Sequence, residues 1–146
     1  MIMLRFPTGV ILLFIALALQ FFLASAGISA NLSFAALIAF AFVYSFWELA
    51  AFIVFAVFIV SWQPAASVEI LFFALYPVAV NLGKGIVPWK TWMVAPAAIV
   101  VGYFGLALAV APSFLLVHPF RSIIDLAMGL AFAAAIFFPL HRSTGA

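Results

Sequence analysis

Arg121 and Asp125 have the residue types and the spacing that charge-based chemistry would need. The two residues are four positions apart near the start of the last apolar segment, and side chains at that spacing lie on one face of a helix, where they can form an ion pair. Such a pair can act in catalysis, or it can orient a helix. We interpret it as structural, because no catalytic motif accompanies it in the sequence.

Glu48 is the only charged residue between Leu32 and Trp62. As one helix these 31 residues would reach roughly 46 Å at 1.5 Å per residue, which exceeds a bilayer core of about 30 Å. Ser45 precedes Glu48 by three positions, and this is the capping-box pattern, in which the two side chains satisfy backbone donors at a helix start. The sequence therefore predicts a chain reversal near Tyr44 to Glu48, with Glu48 as a turn residue on the cytoplasmic side.

The other titratable residues do not form a pattern for catalysis or metal binding. His118 has no neighbouring ligands in the sequence, and His141 beside Arg142 is typical of a solvated helix end. Glu69 is an acid in the first turn of a segment, where the helix dipole favours it. Motifs for hydrolases, zinc peptidases and nucleotide binding are missing from the sequence. We expect no enzymatic activity, no metal site and no cofactor.

The composition indicates an integral membrane protein. Of the 146 residues, 71% are hydrophobic and 5% are charged, against roughly 25% charged residues in soluble domains. No polar segment is long enough for a separate soluble domain, so residues 1–146 form a single transmembrane domain. A net charge of +2 that rests on so few residues makes nucleic acid an unsuitable partner. The chain has no cysteine, which excludes disulfides and thiolate metal sites.

The predicted fold is all-α, a polytopic bundle of six transmembrane helices, with five as the alternative. The first segment follows Arg5, and its small residues at positions 24–26 resemble a signal-peptide cleavage site. We expect an uncleaved helix, because the segment is long enough to span a bilayer. The later segments are separated by turn-forming Gly and Pro residues. The predicted segments are Pro7 to Ala26, the two halves of Leu32 to Trp62, Val68 to Leu82, Trp92 to Ala111 and Phe120 to Leu140.

Charge placement favours six crossings over five. Cytoplasmic loops carry the excess of Lys and Arg, and six crossings with a cytoplasmic N-terminus leave only Arg121 outside. Five crossings would bury Glu48 near the bilayer centre, at a cost of about 2.5 kcal/mol or more. We therefore expect a bacterial plasma membrane protein with both termini in the cytoplasm and its four tryptophans at the interfaces. The cytoplasmic cations would be Arg5, Lys84, Lys90 and Arg142, and the tryptophans are Trp47, Trp62, Trp89 and Trp92.

Small residues recur at helical spacing in the last two long segments. Such faces let helices approach closely, either within the fold or against another membrane protein. They are Ala98 with Gly102, Gly105 with Ala109, Gly129 with Ala133, and Ala127 with Ala131 and Ala135.

Nearly the whole chain resembles the rod-shape-determining MreD family of bacterial membrane proteins. The resemblance lies in the size, the rhythm of six short helices, the first segment ending in LALQFFLA, and the block FWELAAFIVFAVFIVSWQPAASVEILFFALYPV. This block has no glycine, whereas the family usually carries a Gly-x-x-x-Asp pattern there. The resemblance implies a non-catalytic scaffold of the cell-wall elongation machinery, with partners of the MreC, MreB and RodA types.

A second function from another class is compatible with the same six-helix size. The substrate-binding S component of an energy-coupling-factor vitamin transporter needs polar groups that converge near the outer face. Six polar residues fall on the outer side of the six-crossing arrangement, and Arg121 among them would be the partner for an anionic ligand. The six are Asn31, Gln63, Glu69, His118, Arg121 and Asp125.

Overall fold

The computed structural model describes residues 5–26, 31–60, 68–86, 90–110 and 112–143. Within these ranges the chain is helical and contains no strand. Six helices in the described ranges have 12 residues or more, and a seventh has 6. They are α1 (Arg5–Ser25), α2 (Leu32–Val43), α3 (Phe46–Val60), α4 (Val68–Gly83), α5 (Thr91–Val110), α6 (Pro112–Val117) and α7 (Pro119–Ser143).

The predicted break within residues 32–62 is confirmed. α2 ends at Val43 and α3 begins at Phe46, so the chain reverses where the capping-box pattern placed the turn. The segment between α5 and α7, one of those whose Gly and Pro residues predicted a turn, contains the short helix α6. Pro112 is the first residue of that helix, a position that tolerates proline because its missing N–H would have no intrahelical partner.

α2 is the central element of the fold. Ten of its 12 residues are buried, and it contacts α1, α3, α4, α5 and α7. Its side chains are apolar on every face except at Ser33, which is the composition of a helix surrounded by other elements. At 1.5 Å per residue α2 is only about 18 Å long, which is shorter than its neighbours. Both of its ends therefore lie between the longer helices.

The contacts at the two ends of α2 show how its neighbours run. The hydroxyl of Tyr44, just after α2, donates to the carbonyl of Arg5 at the start of α1, and Lys84 just after α4 donates to the carbonyl of Tyr44. At the opposite end, Gln20 late in α1 contacts Ser33 early in α2. α1 and α4 therefore run antiparallel and parallel to α2, respectively, and Arg5 and Lys84 lie at one end of the bundle.

Among the described residues, two helices are long and apolar enough to cross a membrane. They are Arg5–Ser25 and Pro119–Leu140, and 22% and 33% of their most apolar windows are buried. Most of their apolar surface therefore faces outward. Large side chains on other helices do the same, with Phe58 of α3 71% exposed and Leu75 of α4 61% exposed. Continuous apolar surface of this kind marks a region that lipid or another protein covers.

The glycines among the predicted small-residue faces pack within the fold. A β-carbon at Gly102 would lie 2.6 Å from the Tyr76 ring, and one at Gly105 would lie 2.6 Å from the Phe72 ring. These contacts hold α5 close to α4, and Tyr76 also donates a hydrogen bond to the carbonyl of Ala98. The other small-residue face of α7, formed by Ala127, Ala131 and Ala135, is exposed.

Candidate functional site at the ends of the central helix

The first turn of α2 is capped by polar side chains from two elements. The Oδ1 atom of Asn31 accepts a hydrogen bond from the backbone N–H of Phe34 at 3.3 Å, as expected of an N-cap residue. The Oε1 atom of Gln20 in α1 accepts from the N–H of Ser33 at 3.0 Å and lies 2.7 Å from its hydroxyl. These oxygens satisfy backbone donors that α2 itself leaves without partners.

Tyr103 of α5 joins this end of α2 to α7. Its hydroxyl donates to the backbone carbonyl of Asn31 at 2.5 Å. The same hydroxyl lies against Gly129 of α7, where an added β-carbon would approach it to 2.5 Å. Asp125, one turn earlier on α7, is only 9% exposed and lies near Tyr103. Glycine at position 129 therefore makes room for the tyrosine that connects three helices.

The last turn of α2 is capped by donors from α4 and the residue after it. The side-chain amide of Asn81 donates to the carbonyls of Ala41 at 2.7 Å and Tyr44 at 3.1 Å. The Lys84 ammonium donates to the same two carbonyls at 3.1 and 3.3 Å, and partial burial lowers the pKa of Lys84. A cation at a helix C-terminus interacts favourably with the helix dipole.

Tyr44 fixes α1 against the turn between α2 and α3. Its hydroxyl donates to the carbonyl of Arg5 at 2.9 Å, and its ring packs against Phe40 and Phe52 with centroid distances of 5.2 and 5.0 Å. Burial is the main cause that raises the pKa of Tyr44 to about 12, with the charge of Glu48 adding to the effect. The phenol therefore stays protonated, and remains a donor, throughout the physiological pH range.

Ser45 and Glu48 form the turn that the sequence predicted. The Oε2 atom of Glu48 accepts from both the N–H and the hydroxyl of Ser45 at 3.0 Å. The reach of Glu48 back to the N–H of Ser45 is the capping-box contact. The hydroxyl of Ser45 donates to the same carboxylate, whereas the prediction had this side chain satisfy a backbone donor at the start of α3. Ser45 is exposed and Glu48 half-buried, so the pair lies at the edge of the bundle.

Arg121 and Asp125 differ in solvent exposure. Both residues belong to α7, four positions apart, but Arg121 is exposed and Asp125 is buried on the side of Tyr103. Their ion pair stays a prediction. His118 is exposed between α6 and α7. Gln63 and the side chains of Glu69 and His141 lie outside the described part of the chain.

Sequence reasoning missed Gln20, Asn81 and Tyr103 as capping residues. Asn81 and Lys84 are three positions apart, and this spacing puts them on one side of the last turn of α4. That spacing could have indicated that the two side chains contact the same group. Gln20 is the only side-chain amide in the first apolar segment. A side-chain amide at membrane depth requires a hydrogen-bond partner.

The capping groups are suited to holding helices rather than to reacting with a substrate. Hydrogen-bond acceptors lie at the N-terminus of α2 and donors at its C-terminus, which complements the helix dipole at both ends. Among the described residues no group of three His, Cys, Asp or Glu side chains is placed to hold a metal ion. Three crevices in the described surface are lined almost wholly by apolar atoms.

Comparisons of this chain with protein-family models, with curated proteins and with solved structures find no match.

Proposed function

We propose that the chain is a non-catalytic scaffold subunit of the bacterial cell-wall elongation machinery. In this proposal it crosses the plasma membrane six times and keeps both termini in the cytoplasm. The non-catalytic part of this proposal is supported by the hydrogen bonds that the polar side chains make. Asn31, Gln20 and Tyr103 hold one end of α2 and Asn81 and Lys84 the other, so these groups are committed to structure.

The membrane location is supported by the length and exposure of the helices. α1 and the apolar part of α7 can each span a bilayer core by length and composition. α2 is too short to do so in lipid, where its terminal backbone groups would be left without partners. Here α2 is enclosed by five helices and capped by their side chains, so a crossing of reduced length carries no such penalty.

The choice of machinery is supported by the resemblance to the MreD family and by the outward-facing apolar surface. A scaffold in a membrane complex must present side chains to other membrane proteins, and α7 exposes Ala127, Ala131 and Ala135. Faces of this type let another helix approach closely. The expected partners are therefore membrane proteins of the MreC and RodA types, with MreB reached from the cytoplasmic side.

The second candidate, a vitamin-binding S component, is favoured by one specific observation. Asp125 is buried beside Tyr103 and within one turn of Gly129, and Asn31 is bonded to the same tyrosine. Two of the six residues predicted to converge for ligand binding are thus near one another. Arg121, the expected partner for an anion, is exposed on the same helix.

Disruption of the gene tests the scaffold proposal. We expect rod-shaped cells to become rounded, and we expect the tagged protein to co-purify with proteins of the MreC and RodA types. Normal cell shape with lost vitamin uptake would reject the scaffold and favour the transporter. In parallel, thermal unfolding of the purified protein with vitamins and small anions should show no shift, whereas a shift that Arg121→Ala removes would indicate a ligand site.

A further inference from the structure

The uncharged part of α4 is short for a membrane crossing. It is Ile70–Gly83, because Glu69 precedes it within the helix and Lys84 follows the helix. At 1.5 Å per residue this stretch extends about 21 Å, whereas the hydrocarbon core of a bilayer is about 30 Å thick. A core of full thickness beside α4 would therefore reach a charged residue, which is costly to bury in lipid.

This short stretch faces the outside of the bundle, unlike α2. Leu71, Leu75 and Leu82 are 51%, 61% and 66% exposed, and their spacing puts them on one face of α4. Faces that pack against another membrane helix are rich in small residues, whereas this face presents large aliphatic side chains. Its chemistry fits the acyl chains of lipids.

Hydrogen bonds place the missing length at one end of the bundle. The Lys84 ammonium donates to the carbonyl of Tyr44, and the hydroxyl of Tyr44 donates to the carbonyl of Arg5, so α4 ends close to the level at which α1 begins. Lys84 also donates to the carbonyl of Ala41, which holds its ammonium on α2. From this common level α1, with 21 residues, extends about 31 Å, whereas Glu69 is reached after about 21 Å.

We propose that the bilayer core is about 9 Å thinner beside α4 than beside α1, and that lipids with short acyl chains cover this side of the protein. A stretch that is too short is accommodated by thinning of the bilayer, by extension of flanking charged side chains to the surface, or by oligomerisation. The hydrogen bonds of Lys84 oppose extension at one end, and a glutamate side chain is shorter than the missing length at the other. The inference rests on the membrane location within the proposed function and does not depend on the cell-wall role.

Spin labels on α4 and α1 measure the local thickness. Leu71→Cys lies about 18 Å from Gly83, and Ala18→Cys, at an exposed position of α1, lies about 20 Å from Arg5. Collision rates with oxygen and with a nickel chelate give the depth of each label in a phosphatidylcholine bilayer. We expect about 3 Å below the outer edge of the hydrocarbon core for Leu71→Cys and about 10 Å for Ala18→Cys. Equal depths would overturn the proposal, and so would spectra broadened by a second Leu71→Cys label nearby, which would identify another copy on this face.

Substitution of Glu69 tests whether its charge sets the outer edge of the core beside α4. Glu69→Leu extends the uncharged stretch beyond residue 69, so the label at Leu71→Cys should lie deeper by about 3 Å or more. Glu69→Asp is the matched control, because it keeps the carboxylate, and the depth of the label should not change. A label that stays at the same depth in Glu69→Leu would contradict the proposal.

Photolabelling of the wild type keeps the test independent of variant folding. The protein is reconstituted in an equal mixture of phosphatidylcholines with 14-carbon and 18-carbon photoactivatable acyl chains. Peptides from residues 70–83 should carry about twofold more of the shorter lipid, and peptides from residues 10–19 of α1 should carry equal amounts. The same ratio on both helices would overturn the proposal. A chain that is found in the soluble cell fraction and is labelled on neither helix would contradict the membrane location and this proposal with it.

Discussion

The side-chain amide of Asn81 lies 2.7 Å from the backbone carbonyl oxygen of Ala41. This bond joins the last turn of α4 to the last turn of α2, the helix that the other long helices surround. A carbonyl at that position has no N–H donor partner within its own helix. This contact and the hydrogen bonds of Lys84 to the same carbonyls join the ends of α4 and α2 beside their apolar packing.

Two substitutions of Asn81 should destabilise the fold to different extents, because they differ in hydrogen bonding. Asn81→Ala leaves the Lys84 ammonium on the same carbonyls, so we expect a loss of about 0.5 to 1.5 kcal/mol. Asn81→Asp, which has the same shape, should cost more at neutral pH because its carboxylate cannot donate and repels the carbonyl oxygens. Thermal unfolding in detergent measures both. An aspartate variant as stable as the wild type would contradict the capping role.

The combination of Asn81→Ala with Lys84→Ala should cost more than the sum of the single changes. Each donor alone can satisfy the carbonyls of Ala41 and Tyr44, so only the double variant leaves them without a side-chain donor. Residues that share a partner show such coupling, of about 0.5 to 3 kcal/mol. Strict additivity in the same unfolding assay would show that the two donors act independently.

Glu48 should tolerate the loss of its charge but not the loss of its oxygen. In Glu48→Gln the amide oxygen can still accept from the N–H and the hydroxyl of Ser45, so folding and function should be nearly intact. Glu48→Ala removes the cap on the N–H of Ser45 and should cost about 0.5 to 2 kcal/mol, whereas Ser45→Ala removes only the hydroxyl–carboxylate hydrogen bond and should cost about 0.5 to 1.5 kcal/mol. A stable Glu48→Gln protein that fails to maintain rod shape would overturn the structural interpretation.

Gly9 should be intolerant of even one added carbon. A β-carbon there would lie 2.5 Å from the Phe52 ring and 2.8 Å from the Tyr44 hydroxyl, so α1 would have to move away from the turn. We expect Gly9→Ala to cost about 1 to 3 kcal/mol, as overpacking does. Gly85→Ala is the matched control, because no atom lies within 4 Å of its added carbon. Equal melting temperatures for the two variants would argue against close packing at Gly9.

The local features of the fold could be predicted from the sequence because they depend on neighbouring residues. The turn at Ser45 and Glu48 follows from a pattern of four residues, and the helix bounds follow from the Gly and Pro residues between apolar segments. The central position of α2 could not be predicted. Every segment is apolar around its circumference, so hydrophobic periodicity gives no inward face from which to derive the arrangement.

The contacts between helices could not be predicted from the sequence, for the same reason. Tyr103 and Asn31 are 72 positions apart, and nothing local in either segment indicates that they meet. Asp125 was predicted from its spacing to Arg121, and the structure adds Tyr103 as a neighbour on another helix. Gly102, Gly105 and Gly129 were predicted as close-packing positions, and their contacts with aromatic rings confirm packing within the fold.

Accessibility of single cysteines in intact cells tests the six-crossing membrane arrangement most directly, and the chain has no cysteine of its own. Trp47 and Ile86 are 79% and 83% exposed at the end of the bundle that contains Arg5, whereas Ser25 and Leu116 are exposed at the other end. We predict that an impermeant thiol reagent added outside labels Ser25→Cys and Leu116→Cys, and that Trp47→Cys and Ile86→Cys react only after the membrane is permeabilised. Labelling of Trp47→Cys and Ile86→Cys from opposite sides of the membrane would contradict the account.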